Sequence, residues 1–217
     1  MSRTIIVGDI HGCYSELLDL ITELQLKPDD RLVSVGDLVA KGPDNRKVLD
    51  FFQKRRNGAA ILGNHECVLL HHYRGEAVDL EPAHVKVIKE LAADFGAYMD
   101  WISEFPRYIN LGSHIVVHAG IRPGTRLEQQ ALEDLTELRT LDGPERGSRV
   151  GTPWFDKYQG DAVVIFGHWV FETPLVRKNA IGIDTGCVYG GKLTAVVLPG
   201  ERLVSVPART AYARKKE

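Results

Sequence analysis

Asp9 and His11 stand two residues apart in the segment GDIHG, Asp37 lies in GDLVAKGPD, and Asn64 and His65 sit inside GNHE. Each segment follows an apolar run of strand length. Two further runs end in HIVVHAG and VVIFGHW and deliver His118 and His168. Carboxylate, amide and imidazole donors gathered at strand ends make a ligand set for two metal ions held over a substrate. Residues two apart on a strand point the same way, so Asp9 and His11 can reach one ion. Asp37, arriving from the neighbouring strand, is the natural carboxylate bridge. Asn64 adds a neutral oxygen, and His118 and His168 add imidazoles, a mixed shell suited to Mn, Fe or Zn rather than Ca. Each motif alone is weak, because a lone strand-end histidine is more often a packed core residue. Their number and order carry the inference.

The elements that must position these residues are legible in the first third of the chain. Arg3–Gly8, Arg31–Val35 and Ala59–Leu62 read as strands, with helices at Tyr14–Leu24 and Arg46–Arg56 between them. Such β-α-β-α-β alternation implies parallel strands and sites at their carboxyl ends. A mostly helical segment at about 68–105 follows, placed to form a wall over the site or a plain packing pair, and a helix is expected at Leu127–Leu138. The runs His114–His118, Ala162–Gly167, Ala180–Asp184, Leu193–Leu198 and Leu203–Val206 are rich in β-branched residues and predict a second sheet. The expected fold is α/β, a two-sheet β-sandwich flanked by helices, built as one domain over residues 1–217.

Composition narrows the partners. A formal net charge of -2 over 217 residues gives no global attraction to nucleic acid. The cluster Arg209, Arg214, Lys215 and Lys216 reads as a solvated terminal tail. No apolar run approaches bilayer length, so no membrane segment is expected. Cys13, Cys67 and Cys187 are odd in number and form no CxxC pair, which suits a reducing cytoplasm and buried thiols.

The ordered motifs resemble the calcineurin-like metallophosphoesterases, in the branch that holds the Ser/Thr protein phosphatases and the symmetrical diadenosine tetraphosphatases. The resemblance spans residues 5 to about 200. It implies that Asp9, His11 and Asp37 hold a first metal and that Asp37, Asn64, His118 and His168 hold a second, most simply Mn, with Fe or Zn as alternatives. It further implies that a water made acidic by the ions attacks phosphorus in line while His65 protonates the leaving oxygen. Ala40, Lys41 and Leu62 depart from the GDxVDRG and RGNHE patterns of the protein phosphatases, so an aspartate that orients the general acid and two clamping arginines are missing. Ala40 and Leu62 instead resemble the tetraphosphatase patterns GDLVARGP and LGNH. IDTGCVYGGKLTAV, from Ile183 to Val196, resembles the DTGCVWGGxLTAL signature of that group.

A phosphate clamp is still required. Lys41 supplies a point charge, and Arg122, Arg146 and Arg149 are candidates because a guanidinium fits a phosphate edge. Asp184, in the IDTG turn, is a candidate partner for a ligand histidine. Trp169 and Tyr189 either pack beneath the site or offer a face to a nucleobase. The expected substrate is a nucleotide of the dinucleoside polyphosphate class. A phosphoprotein is the alternative, and a non-catalytic metal- or phosphate-binding module is the rival of another class.

Overall fold

The computed structural model describes residues 2–215, and Lys216 of the basic cluster lies outside the described residues. Five strands, Thr4–Val7 (β1), Arg31–Ser34 (β2), Gly58–Ala60 (β3), Lys192–Leu198 (β9) and Arg202–Pro207 (β10), form one sheet in the order β10-β9-β1-β2-β3. A second sheet has the order β4-β5-β6-β8-β7, from Ile109–Asn110 (β4), His114–Val116 (β5), Val163–Phe166 (β6), Leu175–Arg177 (β7) and Ala180–Gly182 (β8). In each sheet three neighbouring strands run parallel, β1 with β2 and β3, and β5 with β6 and β8. Their carboxyl ends deliver the motif residues.

The strands read as continuous apolar runs because both faces are covered. On β1, Ile6 points into the interior between the sheets, where it meets Val33, Ile165 and Val196, while Ile5 and Val7 pack against helices on the outer face. On β6, Ile165 joins the same interior and Val164 and Phe166 face outward. Four layers result. Helices Tyr14–Glu23 (α1), Asn45–Lys54 (α2), Asn64–Tyr73 (α3), Pro82–Leu91 (α4) and Phe95–Ser103 (α5) share the first sheet's outer core. Leu132–Glu137 (α6) and Trp154–Lys157 (α7) cover the second sheet.

Three expectations are corrected. Leu193–Leu198 and Leu203–Val206 belong to the first sheet, where β9 lies antiparallel to β1 and β10 antiparallel to β9. Periodicity identifies a strand but not its partner. The helix expected at Leu127–Leu138 is a 3₁₀ turn at Leu127–Gln129 followed by α6, because Gln130 turns its amide inward to Arg122 O and Thr125 O at 3.0 and 2.9 Å. Nor is the basic terminal segment merely solvated, since Arg209 pairs with Asp19 on α1 at 2.9 Å.

The helical segment after β3 is anchored beside the first sheet's loops. Glu90 of α4 accepts from the backbone N–H of Arg46 at 2.8 Å and from Asn45 Nδ2 at 2.7 Å, placing a carboxylate at the amino end of α2. Lys86 donates to Gly42 O at 2.9 Å. Cys13 and Cys187 are buried and Cys67 is partly buried.

Trp154 is fully buried on Phe155 and Phe166, and its indole N–H donates to Ala119 O at 3.1 Å, immediately after His118. Trp154→Phe leaves that carbonyl without its donor. An unfolding free energy lower by about 1–3 kcal/mol is expected in urea denaturation; a change under about 0.5 kcal/mol would show that the hydrogen bond does not support this loop.

Candidate active site

The turn after each strand is shaped by close backbone contact. A Cβ at Gly167 would collide with Asp9 Oδ1, and one at Gly63 with Asp37 Oδ1, so these glycines let the carboxylates approach the adjoining loops. His168 N–H donates to both Asp9 oxygens at 3.1 and 3.0 Å, and His65 N–H to Asp37 Oδ1 at 3.2 Å. His11, Asp37 and His168 adopt positive φ of 49, 50 and 61°. Three non-glycine residues in this region at one site mark backbone held by its surroundings rather than by preference.

Glu66 ties two loops together. Its carboxylate accepts from the backbone N–H of Asp37 at 2.8 Å, of Val39 at 3.3 Å and of Gly63 at 3.0 Å. It thereby caps α3, on which Asn64 and His65 are the first residues, and fixes the Asp37 loop alongside. The sequence signal was present, because a Glu three residues after a loop glycine before an apolar helix is a capping pattern.

The structure brings the sequence-predicted donors together. One ligand atom each from His11, Asp37 and His65, and likewise from Asp9, Asp37 and His118, lie within 4.8 Å of one another. Asp37 is common to both groups. Asn64 Oδ1 lies 3.0 Å from His118 Nε2 and 3.0 Å from His168 Nδ1. Backbone carbonyls orient two of the rings, with Val39 O 3.0 Å from His11 Nδ1 and Val35 O 2.8 Å from His118 Nδ1. An Nδ1–H donating there leaves the Nε2 lone pair for a cation.

Burial sets the electrostatics. It raises the Asp9 carboxyl well above its usual range, helped by Asp184 and Asp37, and lifts Asp37 and Glu66 each to about 7. It also lowers His11, His65 and His168 well below the usual imidazole value and His118 to about 4. Neutral imidazoles beside crowded carboxylates are the donor state that divalent cations require. His168 Nε2 is buried with no hydrogen-bond partner among the described residues. The residues therefore fit two cations.

A cavity of about 1160 Å³ opens over these groups. Lys41 and Arg149 line it, as does Arg139, which sequence reasoning missed. Arg139 is held by Gly147 O and by His168 O, with a buried Nε that has no partner among the described residues. No motif surrounds it, so only its place in the fold reveals it. Arg122 and Arg146, expected as clamps, instead share Asp134 at 2.7 and 2.9 Å and do not line the cavity, because that carboxylate satisfies them on α6. Asp184 lines the cavity, but its Oδ1 accepts from Gly186 N–H at 3.0 Å within its own turn rather than from a ligand histidine. Trp169 packs on Phe171 with ring centroids 5.8 Å apart, whereas Tyr189 lines the cavity with Lys41 Nζ 5.5 Å from its ring. Arg214 and Lys215 of the terminal segment also line it.

A family model described as calcineurin-like phosphoesterase matches residues 2–198. The bis(5'-nucleosyl)-tetraphosphatase PrpE (asymmetrical) of Halalkalibacterium halodurans is 32% identical, with 97% of this chain and 96% of that protein covered. The symmetrical bis(5'-nucleosyl)-tetraphosphatase of Nitrosospira multiformis is 33% identical, with 91 and 93% covered. A crystal structure provisionally assigned as a diadenosine tetraphosphatase superposes with a TM-score of 0.83 at 33% identity, over 95% of this chain and 94% of its own. A Ser/Thr phosphatase of Saccharomyces cerevisiae gives 0.68 at 14% identity, over 100 and 81%, and shows the shared fold alone.

Two outcomes test this site. Carboxyls whose folded pKa is raised cost stability as pH climbs from their unfolded value near about 4 towards 7. The lowered histidines act the other way and return stability as pH rises to about 6.5, so the net fall is read above that point: metal-free protein is expected to show a Tm that falls between pH 6.5 and pH 8, and added Mn should raise Tm more at pH 8 than at pH 6.5. An equal rise at both pH values would place the cation elsewhere. On the cavity wall, Arg139→Ala is expected to lower kcat/KM for a phosphate substrate by about tenfold to a hundredfold, the worth of a charge-assisted contact. Arg122→Ala and Arg146→Ala should stay within about threefold of wild type; the reverse ranking in steady-state assays would restore the sequence-based clamp.

Proposed function

Because the chain belongs to the calcineurin-like phosphoesterase family, whose activity is hydrolysis of phosphoester or phosphoanhydride bonds, we propose that it is a two-metal hydrolase of dinucleoside polyphosphates. The observation that carries this reading is the cationic lining of the cavity. Lys41, Arg139, Arg149, Arg214 and Lys215 surround a space of about 1160 Å³ beside the metal-binding donors, more room than one phosphomonoester needs. A chain of linked phosphates distributes its charge over such a spread of cations, and Tyr189 on the wall presents an aromatic face. The names of the relatives agree with this substrate class.

In this reading Asp9, His11 and Asp37 hold one cation, and Asp37, Asn64, His118 and His168 hold the other, with Mn the favoured ion. Bound cations supply charge for the phosphoryl oxygens and acidify a water for in-line attack. Arg139 and Lys41 hold the non-reacting phosphates, Lys41 kept charged against its burial by Asp37, Tyr189 and Asp9. His65 faces the leaving oxygen. Among the described residues no helix is long and apolar enough to cross a membrane. The three cysteines are free thiols, which supports a reducing, cytoplasmic setting for a nucleotide substrate.

Protein freed of metal and reloaded with Mn is expected to hydrolyse diadenosine tetraphosphate with a kcat/KM at least about a hundredfold above that on a phosphoserine peptide. Chromatography of the products identifies the broken bond, since ADP alone reports symmetrical and ATP with AMP asymmetrical cleavage. Preference for the peptide would replace this reading with a Ser/Thr phosphatase. Failure to turn over either substrate or a chromogenic monoester would leave a binding module.

A further inference from the structure

One buried contact at the site brings in a ring from outside the donor groups. His65 Nδ1 lies 2.7 Å from His84 Nε2, and both rings are buried with centroids 4.9 Å apart. His84 stands on α4, 19 positions along the chain. Its own other nitrogen is engaged too. The backbone N–H of Glu81, the residue before α4, donates to His84 Nδ1 at 3.1 Å, so His84 occupies the third position of a capping box. A backbone N–H has only a proton to offer. His84 Nδ1 is therefore an acceptor, the His84 proton sits on Nε2, and that N–H donates to His65 Nδ1. His65 Nδ1 is then a lone pair, and the single proton of neutral His65 is on Nε2, the atom left for a substrate in the cavity that His65 lines. The tautomers of both rings follow from one backbone N–H at the start of a helix.

We propose that His84 is a positioning residue that fixes the His65 tautomer with its proton on Nε2, aimed into the cavity as a hydrogen-bond donor, and that this suits the site to phosphate leaving groups rather than alkoxides. The inference deepens the proposed function, on which its substrate class rests. A carboxylate beside Nδ1 would accept a proton there and favour an imidazolium, a full proton source. A donor at the same place opposes that second proton. Ala40, on the loop alongside, brings no carboxylate in its stead. The chemistry differs accordingly. When a phosphoanhydride is cleaved, water oxygen forms the new bond to phosphorus and the P–O bond to the departing phosphate breaks with its electron pair on that oxygen. The proton lost by the water passes to solvent. The departing phosphate is stable as an anion, so a hydrogen bond from His65 Nε2–H suffices and His65 keeps its proton. An alkoxide leaving from a serine or threonine phosphate needs a proton that this ring does not readily release.

The test uses the metal-loaded protein with p-nitrophenyl, phenyl and alkyl phosphates in order of rising leaving-group basicity, beside diadenosine tetraphosphate. Wild type is expected to fall steeply along the monoester series. His84→Gln, which offers an N–H to His65 and an oxygen to the Glu81 N–H, should keep that slope at whatever absolute rate. His84→Glu, which still completes the capping box but presents an acceptor, should raise the alkyl-to-nitrophenyl ratio by about tenfold or more. Identical slopes for the Gln and Glu variants, or a shallow slope in wild type, would overturn the proposal. In parallel, ¹⁵N NMR of the zinc-loaded protein should show His65 protonated at Nε2 and bare at Nδ1; a proton on Nδ1 would also overturn it. Neither readout needs the dinucleotide, so failure to cleave diadenosine tetraphosphate would strike the proposed substrate while leaving the His84 assignment standing or falling on these measurements.

Discussion

Asp9, Asp37 and Asp184 are buried around one cavity, and nothing else in the fold is as demanding as keeping those carboxylates together. Like charges removed from water repel strongly and shift towards protonation unless cations answer them. Much of the local structure relieves this. Backbone N–H groups of His168 and His65 are turned onto Asp9 and Asp37, and residues at positive φ turn the loops to make that possible. Neutral imidazoles and Asn64 complete a donor set whose remaining deficit is positive charge. The candidate active site is thus also the place where buried like charges crowd together.

Glu66 shows how that centre is kept from relaxing. A fourth buried carboxylate beside three others seems a worsening of the problem. Yet its oxygens accept from Asp37, Val39 and Gly63 N–H, so the charge is spent on fixing the geometry of the Asp37 loop against the amino end of α3. Local hydrogen bonding to a carboxylate and the favourable end of a helix act in the same direction. Position in the fold, rather than residue type, separates a ligand carboxylate from a scaffolding one.

The sequence carried the local part of this picture well. The strands Thr4–Val7 and Arg31–Ser34 and the helices between were readable because alternation and helical spacing are properties of contiguous residues. The candidate metal-binding donors were readable because each follows a strand. What eluded sequence reasoning depends on partners distant in the chain. The return of β9 to the first sheet rests on pairing with β1, 194 residues earlier by the match of Thr4 with Leu198, and β10 follows on β9. Arg139 has no flanking motif and acquires its place from His168 O and Gly147 O. Arg122 and Arg146 looked equally fit until Asp134 claimed both. His84 lies in no motif, and only the docking of α4 brings it to His65.

That docking has a consequence for how the protein can vary. The proposed cation donors sit in the turns that follow strands, with Asn64 at the start of α3, and are held against the two sheets. The ring proposed to align His65 instead arrives on a helix fastened by Glu90 to the start of α2 and by Lys86 to Gly42 O. Affinity for phosphate and aptitude for a given leaving group are therefore written on different pieces of architecture. Remodelling the face of α4 that meets α2 would act on the second trait without touching a proposed cation donor. The molecule has, in effect, a fixed anvil and an exchangeable hammer.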